Sequence, residues 1–442
     1  MSFYGFMVNK NGAVTYMKKI VNIGLVGFGT VGSGVYNVIK NNGKLIEQRT
    51  GVSLVLKTVC DLRMDEVKNT VSSDVQVTDN WKSLIEDKEI DTIVELIGGL
   101  EPAKSVVEAA LSAGKNVVTA NKKLLAEKGS VIFELADRKD AKLGFEAAVG
   151  GGIPCIEDLK NGLVANNVNH IFGILNGTTN YILTRMELAG LSFADALAEA
   201  QAEGFAEADP TFDIEGYDAG HKICLLAMLA FNKKIEYGSI QIEGITKIKT
   251  LDTEFARRMG YAVKLLGIAR EIDGEVDVRV HPVMIRESHL IASVSHEYNA
   301  VVFDADMTGE VLLYGKGAGS LPTASAVVSD IVQIAVKKGV YESAILTKGD
   351  AVILGAEKRF SRFYLRINTE DRPGILEKVA HAFSANNISV SSVEQHETGH
   401  NIVPLLFVTH KACEADIRKA VNEINEFDFV TEPVMMIRIE ES

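Results

Sequence analysis

The residues from Gly204 to Lys222 include the densest group of side chains that could do chemistry. The segment GFAEADPTFDIEGYDAGHK carries several carboxylates, then a histidine and a lysine. Asp218 and Lys222 are four residues apart and would share one helix face. This spacing fits a surface salt bridge. It also fits a partly buried lysine, because the apolar run Ile223–Phe231 follows at once. Desolvation can lower the pKa of a lysine and make it a proton donor or base, and surrounding acids suit an amino-bearing substrate.

A glycine-rich turn near the start of the chain predicts a dinucleotide site. GFGTVG comes directly after a short apolar run, Ile20–Val26, and before a helical stretch. Glycines permit a tight turn and close approach of a pyrophosphate, and the helix N-terminus supplies N–H donors. The alternative is an ordinary tight turn with packing glycines. The residues of the turn are Gly27, Phe28, Gly29, Thr30, Val31 and Gly32.

The choice between NAD and NADP stays open in the sequence. The second strand, Ser53–Cys60, ends at Asp61, 29 residues after Gly32. An acidic residue there often holds the ribose 2′-hydroxyl of NAD, whereas Arg63 could meet the 2′-phosphate of NADP. The residues favour NADP only slightly.

Two further positions stand at ends of predicted elements. Lys122 follows a strand in the dinucleotide half, where strand ends line the ligand crevice, but it could equally be a solvated lysine. Glu146 precedes a glycine-rich turn, Gly150–Gly152, whose carbonyls and carboxylate could hold a hard cation. From the pattern alone a hinge between domains is the favoured interpretation of that turn.

The elements that must position these residues predict an α/β fold. Strands alternate with helices over residues 20–150, which indicates βαβ units and a Rossmann-type, mainly parallel sheet. Residues 151–345 are predicted as an α+β substrate and dimerisation domain, in which 318–340 pack back toward the cofactor domain. Residues 1–19 are predicted to be an N-terminal extension and residues 346–358 a linker. Residues 359–442 have the βαββαβ order of a ferredoxin-like unit.

Four element predictions are specific enough to be tested. A helix is expected over Ser33–Asn41 and another over Thr253–Ile268, and Pro322–Lys338 is expected to be helical. Pro404 lies inside a predicted strand, Ile402–Thr409. Because proline cannot donate to a ladder, that strand is expected at an edge or bulged.

Composition excludes several classes of protein. The 442 residues are 47% hydrophobic and 24% charged, which is typical of a folded chain. The formal charge of −13 disfavours nucleic acid as a partner. No apolar run reaches the roughly 20 residues that span a bilayer. Four scattered cysteines argue against a disulfide framework or zinc site and favour a cytoplasmic location.

Several motifs together resemble one family. GFGTVG, ANKKLL, EAAVGGGIP, ILNGTTNYIL, EGFAEADPTFDIEGYDAGHK and GKGAGSLPTASAV occur in the order found in homoserine dehydrogenases. The resemblance covers about residues 20–345, and the block that ends in Lys222 is highly specific. The tail, with its TEDRPGIL loop, resembles an ACT domain, an amino-acid-sensing module.

The resemblance implies a role for each matching residue. The family interconverts L-homoserine and L-aspartate 4-semialdehyde with NAD(P)(H). Lys222 matches the proton donor, Lys122 a residue at the cofactor–substrate junction, and Glu207 and Asp218 residues that bind substrate. The matching cofactor contacts are Phe28, Thr30, Val31, Ala120, Gly204 and a glycine of 315–319, taken as Gly319. The matching monovalent cation site, normally sodium, is formed by Glu146 and the carbonyls of Val149, Gly151 and Ile153.

The resemblance also implies regulation and assembly. An amino-acid effector, threonine by expectation, would bind near Asp371–Gly374, where Gly374 lets a carboxylate approach the helix N-terminus. Pairing of ACT modules would give a homodimer or homotetramer. Two rivals remain: another ACT-bearing dehydrogenase, which would use a His–carboxylate pair, and a silent amino-acid sensor. The scattered histidines disfavour the first, and the presence of Glu207, Asp218 and Lys222 disfavours the second.

Overall fold

The computed structural model describes residues 6–8, 14–16, 19–336, 349–395 and 401–440. Parts of the predicted extension and linker, the end of the helix predicted to Lys338, and most of the turn before Ile402 lie outside these residues. The chain forms two compact units: residues 1–168, 224–238 and 313–350, and residues 169–223, 239–312 and 351–442.

The first part of the chain alternates strands and helices. Its elements are β1 (Phe6–Val8), β2 (Val14–Tyr16), β3 (Lys19–Val26), α1 (Thr30–Thr50), β4 (Val52–Cys60), α2 (Met64–Thr70), β5 (Gln76–Thr78), α3 (Trp81–Glu86), β6 (Thr92–Glu95), α4 (Ala103–Ser112), β7 (Asn116–Thr119), α5 (Lys122–Arg138), β8 (Leu143–Gly144) and α6 (Cys155–Glu157).

The middle of the chain is mixed. Its elements are β9 (Val168–Ile174), α7 (Gly177–Ala189), α8 (Phe193–Ala202), α9 (Thr211–Ile214), α10 (Tyr217–Phe231), β10 (Gln241–Ile242), α11 (Thr250–Arg258), β11 (Tyr261–Ile272), β12 (Glu275–Arg286), β13 (Tyr298–Ala305), β14 (Gly309–Lys316) and α12 (Ser320–Val336).

The last part of the chain has the predicted βαββαβ order and two additional short strands, one of them inside the predicted linker 346–358. Its elements are β15 (Val352–Ile353), β16 (Phe360–Glu370), α13 (Ile375–Ala385), β17 (Val390–Gln395), β18 (Ile402–Thr409), β19 (Ala412–Cys413), α14 (Glu414–Asn425) and β20 (Met435–Glu440).

The first unit contains a six-stranded parallel sheet in the order β5-β4-β3-β6-β7-β8. This is the doubly wound order, so the predicted Rossmann-type sheet is confirmed. Helix α12 belongs to this unit, because Ala324, Val327 and Ile331 share one buried cluster with Val35 and Val59. Of the segment 318–340, whose return to the cofactor half stays a prediction, α12 covers residues 320–336.

The second unit contains a mixed sheet that runs from the middle of the chain into the tail. Its main path is β14-β13-β9-β11-β12-β20-β16-β18-β17. Within the tail the order β20-β16-β18-β17 is that of a ferredoxin-like βαββαβ unit, as predicted. Two strands of this last part of the chain pair in parallel with β12: β20 along Val283–Ile285, and β15 at Glu275 and Val276.

Three element predictions need correction. Thr253–Ile268 is not one helix: α11 ends at Arg258, and Tyr261–Ile272 is a strand paired with both β9 and β12. Burial on both faces gives that strand a continuous apolar run, which periodicity cannot distinguish from a buried helix. Helix α1 runs to Thr50, beyond the predicted Asn41.

The third correction concerns the strand that contains Pro404. Strand β18 lies inside the sheet, between β16 and β17, and is not an edge strand. Pro404 pairs with Asn368 of β16, whereas the described pairing with β17 begins at Leu405. The missing N–H therefore lies just outside the described β17–β18 ladder.

Candidate functional site

The glycine turn joins β3 to α1 in a conformation that only glycine fits well. Gly27 has a φ of +99°, and a Cβ there would lie 2.7 Å from the carbonyl oxygen of Leu96. A Cβ at Gly32 would collide with the carbonyl oxygen of Gly27. At Gly29 no described atom lies within 4 Å of the position a Cβ would take. The backbone at Gly29 is therefore open to a ligand, which fits a pyrophosphate at the N-terminus of α1.

Asp61 and Arg63 lie against the same turn. Asp61 Oδ2 accepts the N–H of Phe28 at 2.7 Å, and Asp61 Oδ1 accepts the N–H and Nε–H of Arg63. Arg63 Nη2 also donates to the carbonyl of Phe28 at 3.2 Å. Burial raises the pKa of Asp61, but the bonds from Arg63 and Phe28 outweigh it and the pKa is lowered. The side chain of Arg63 is 52% exposed and so remains accessible beside the turn.

Further residues predicted to contact the cofactor belong to the same unit. Ser320 Oγ donates to the carbonyl of Thr30 at 2.6 Å, which brings the neighbouring Gly319 to the glycine turn. Ala120 and Lys122 are half-buried at the junction of β7 and α5. Only β6 separates β7 from β3 in the parallel sheet, so these residues stand at the same carboxyl edge as the glycine turn that follows β3.

A buried carboxyl group organises this carboxyl edge, and sequence reasoning missed it. Glu95 ends β6, and its side chain accepts the N–H of Ile97 and the hydroxyl of Thr119. Thr119 Oγ1 in turn accepts the N–H of Asn121. A glutamate near the end of a predicted strand, three residues before Gly98-Gly99, was the available signal in the sequence.

The Glu146 turn has features that fit a monovalent cation. Glu146 is 6% exposed, and its two carboxylate oxygens accept the N–H groups of Ile156 and Glu157. Burial, together with the charge of nearby Asp330, raises the pKa of Glu146 to about 8. A cation beside Glu146 would offset both effects.

The other predicted ligands of this turn are also buried. Val149, Gly151 and Ile153 are in the interior, and a Cβ at Gly151 would lie 2.5 Å from the carbonyl of Gly317. Across the described segments, no three His, Cys, Asp or Glu side chains gather as metal ligands. A cation here would therefore depend on Glu146 and on backbone carbonyls.

In the second unit, Asp218 and Lys222 form a buried pair on α10. Lys222 Nζ lies 2.7 Å from Asp218 Oδ2 and 2.6 Å from the carbonyl oxygen of Leu175. The two residues are 3% and 7% exposed. Of the two sequence interpretations, the surface salt bridge is therefore wrong. A lysine held by two acceptors in a desolvated place is suited to donate a proton.

Three polar residues that were not predicted as site residues lie beside this pair. Asn176 Nδ2 donates to Asp213 Oδ1 at 2.7 Å and to Asp218 Oδ2 at 2.9 Å. Thr178 Oγ1 donates to the carbonyl of Phe205 and lies 3.4 Å from Asp213 Oδ2. The signal in the sequence was the ILNGTTNYIL motif, in which a helix-capping asparagine opens α7.

Glu207 and Gly204 are on the loop after α8, and both are exposed. The carbonyl of Glu207 accepts Gln201 Nε2 at 3.1 Å. Gly204 has a φ of +78°, and its N–H is bonded to the carbonyl of Gln201. Their predicted contacts with substrate and cofactor are not tested by these bonds.

The tail contains a cavity of about 400 Å³ at the predicted effector position. It lies where β16 meets α13, and Gln395, Val403 and Leu405 complete its wall. Gly374 precedes α13 with a φ of +86°, and no side chain of a described residue caps that helix. The backbone N–H groups that open α13 thus adjoin the cavity.

Two structural features are absent from the described segments. None of their helices combines the length and apolar character needed to cross a bilayer. No disulfide joins the four cysteines, all of which lie in these segments.

Comparisons with known proteins identify the relatives of this chain. The family model described as homoserine dehydrogenase matches residues 154–332, and that of the homoserine dehydrogenase NAD-binding domain matches 27–146. An ACT domain model matches residues 363–429. The chain is 42% identical over 433 residues to the homoserine dehydrogenase of Neisseria gonorrhoeae, which covers 96% of this chain and 99% of that protein.

Solved structures agree with the family models. The crystal structure of a homoserine dehydrogenase from Thiobacillus denitrificans is 40% identical, with a TM-score of 0.89 over 96% of this chain and 99% of that one. A hyperthermophilic archaeal homoserine dehydrogenase mutant in complex with NADPH is 28% identical, with a TM-score of 0.61 over 72% of this chain and 98% of that one.

Proposed function

Since the chain belongs to the homoserine dehydrogenase family and is an oxidoreductase with an NAD-binding domain and an ACT domain, we propose that it interconverts L-aspartate 4-semialdehyde and L-homoserine. The proposed physiological direction is reduction of the aldehyde, on the route to threonine, methionine and isoleucine. The buried Lys222–Asp218 pair is the observation that carries this proposal.

Lys222 is the proposed proton donor. A bound nicotinamide supplies the hydride for reduction of the aldehyde carbon. Negative charge then develops on the carbonyl oxygen, and the ammonium of Lys222 stabilises that charge and transfers its proton to the oxygen. Asp218 and the carbonyl of Leu175 support this role because both accept hydrogen bonds from Nζ and so favour the charged amine.

The remaining predicted residues have supporting roles. Glu207 and Asp218 are proposed to bind the amino-bearing substrate, and Lys122 to contact cofactor and substrate at the carboxyl edge of the parallel sheet. In the cofactor site the glycine turn, Ala120, Gly204 and Gly319 are proposed contacts.

The proposed cofactor is NADP(H), with NAD(H) as a second possibility. Asp61 is engaged by Phe28 and Arg63, which leaves an exposed guanidinium beside the turn. A guanidinium recognises a phosphate well, so this arrangement supports the 2′-phosphate of NADP. The NADPH complex of the archaeal relative supports the same choice.

A sodium ion is proposed at Glu146 with the carbonyls of Val149, Gly151 and Ile153. The raised pKa of the buried carboxyl group supports it, because a neighbouring cation would favour the ionised form. The ion would hold the glycine-rich turn in place and take no part in the chemistry.

Regulation by an amino acid is proposed for the tail. The cavity beside Gly374 is large enough for a small ligand, and the start of α13 offers N–H donors to a carboxylate. Threonine is the proposed effector, and a homodimer or homotetramer is the proposed assembly.

The absence of a disulfide among the described cysteines supports the proposed cytoplasmic location.

The experiment that tests the function follows absorbance at 340 nm with L-homoserine at alkaline pH, with NADP and NAD in separate reactions. Homoserine-dependent growth of the signal is expected, and it should be faster with NADP. No signal with either cofactor, from folded protein that still binds NAD(P)H, would contradict the proposal and favour the sensor alternative.

A further inference from the structure

Asn176 lies directly before α7, and its amide orientation is determined by that helix. Its Oδ1 accepts the N–H of Thr179 at 2.8 Å and so caps the helix. With the oxygen turned toward an N–H donor, the amide nitrogen must face the opposite way. The side chain is 5% exposed, so its two N–H groups require acceptors inside the protein.

Those acceptors are two carboxylates. Asn176 Nδ2 donates to Asp213 Oδ1 and Asp218 Oδ2 at 2.7 and 2.9 Å. Like charges this close repel each other, and the repulsion is stronger where water is excluded. A neutral donor bonded to both carboxylates holds them together without adding a charge.

One of these two carboxylate oxygens also binds the catalytic lysine. Asp218 Oδ2 accepts from both Asn176 Nδ2 and Lys222 Nζ, and the carbonyl of Leu175 accepts from Lys222 as well. Leu175 and Asn176, the two residues that directly follow β9, therefore determine where Lys222 and its carboxylate lie. Movement of Asp218 would move Nζ.

We propose that Asn176 is a positioning residue that holds Asp213 and Asp218 together and thereby places Lys222 Nζ for proton transfer. The proposal rests on the proposed function. It is not a role in binding the cofactor or the substrate, because the amide is fully engaged by Thr179, Asp213 and Asp218.

Two variants separate positioning from helix capping. Asn176→Asp keeps the shape and the capping oxygen but replaces the donor with a third carboxylate. Asn176→Ser keeps a capping oxygen and removes the amide. Asn80→Asp is the matched control, since Asn80 caps α3 through its own side-chain oxygen in an exposed position.

The measurement is kcat for L-homoserine oxidation with NADP between pH 6 and 9, with the thermal midpoint of each variant alongside. Both Asn176 variants should lose at least about tenfold in kcat, and Asn80→Asp should not. In Asn176→Asp the loss should shrink as pH falls, because a protonated carboxyl group regains an O–H donor and repulsion raises the pKa of the cluster. In Asn176→Ser the loss should be the same at every pH.

Failure of the positioning role can be distinguished from failure of the proposed function. If the wild type lacks homoserine-dependent activity, the function itself is wrong. If the wild type is active and folded Asn176→Ser stays within about twofold of it, the positioning role is wrong. A pH-independent loss in Asn176→Asp, or loss of folding in both Asn176 variants, would also overturn the proposal in favour of a purely structural role.

Discussion

The Oδ2 atom of Asp61 accepts the backbone N–H of Phe28 at 2.7 Å, so the carboxylate that follows β4 is turned toward the glycine turn. The same carboxylate holds Arg63 through the arginine N–H and Nε. An acidic residue at this point of a dinucleotide fold commonly binds the ribose hydroxyls. Here it positions a basic side chain, and that difference bears directly on cofactor choice.

Replacement of Arg63 should change cofactor preference. Arg63→Ala removes the exposed guanidinium proposed to meet the 2′-phosphate, so KM for NADP should rise at least about tenfold while KM for NAD changes little. Initial rates over a range of each cofactor give both values. Arg49→Ala, an exposed arginine near the end of α1, is the control. An equal change for both cofactors would contradict the role.

Removal of Lys222 should abolish most of the turnover. Lys222→Ala deletes the proposed proton donor, and general acid catalysis contributes on the order of 10²–10⁴-fold, so kcat should fall at least ~10²-fold. Steady-state kinetics with L-homoserine measure it, with exposed Lys88→Ala as the control. Near-normal turnover in folded Lys222→Ala would exclude this role.

A cation at Glu146 should be visible as a change in stability. Sodium chloride should raise the thermal midpoint of the wild type by at least about 2 °C relative to choline chloride of equal ionic strength, because an ion that binds only the folded chain stabilises it. Glu146→Gln removes the one carboxylate among the proposed ligands and should remove the difference. Scanning calorimetry in both salts measures these thermal midpoints. Equal midpoints for the wild type in the two salts would argue against the sodium site.

The cavity in the tail should make activity respond to an amino acid. Millimolar threonine is expected to lower the rate, and Asp371→Ala should raise the required concentration at least about tenfold, because it deletes a carboxylate of the cavity wall that can meet the ligand ammonium. Exposed Glu426→Ala on the same domain is the control. A rate that stays constant up to several millimolar threonine rules out threonine feedback.

Acid should destabilise the junction of β12, α14 and β20 through Glu243 and Glu414. Burial raises the pKa of Glu243, but Arg438 outweighs it by hydrogen bonds and charge and holds the pKa at about 2, and that of Glu414 is also well below its usual range. The folded pKa values are depressed, so this stabilisation is complete above about pH 4.5 and is lost as pH falls from there toward 2.

The thermal midpoint, measured at half-unit steps from pH 6 to 3, should therefore fall steeply below about pH 4.5. Glu243→Gln cannot take up that proton, so its midpoint should be lower near neutral pH and should fall less steeply with acid. Glu426→Gln, an exposed matched change, should follow the wild type. Parallel curves for wild type and Glu243→Gln would show that Glu243 does not contribute.

Local sequence determined the features that depend on neighbours along the chain. The glycine turn could be predicted because Gly27 and Gly32 meet steric demands within one strand–turn–helix unit. The Lys222–Asp218 pair could be predicted because residues four apart share a helix face. The βαββαβ order of the tail followed from alternating short elements, and the family resemblance followed from contiguous motifs.

Tertiary structure alone decided the features that join distant residues. Most of strand Tyr261–Ile272 was predicted as the end of a helix, because burial on both faces of the strand removed the alternation of apolar and polar residues. Asn176 donates a hydrogen bond to Asp218, which is 42 positions away in the sequence. Asp61 accepts one from Phe28, which is 33 positions away. Hydrogen bonds act over about 3 Å whatever the sequence separation. Periodicity reports which face a residue occupies, whereas the partner on that face is set by how the elements pack.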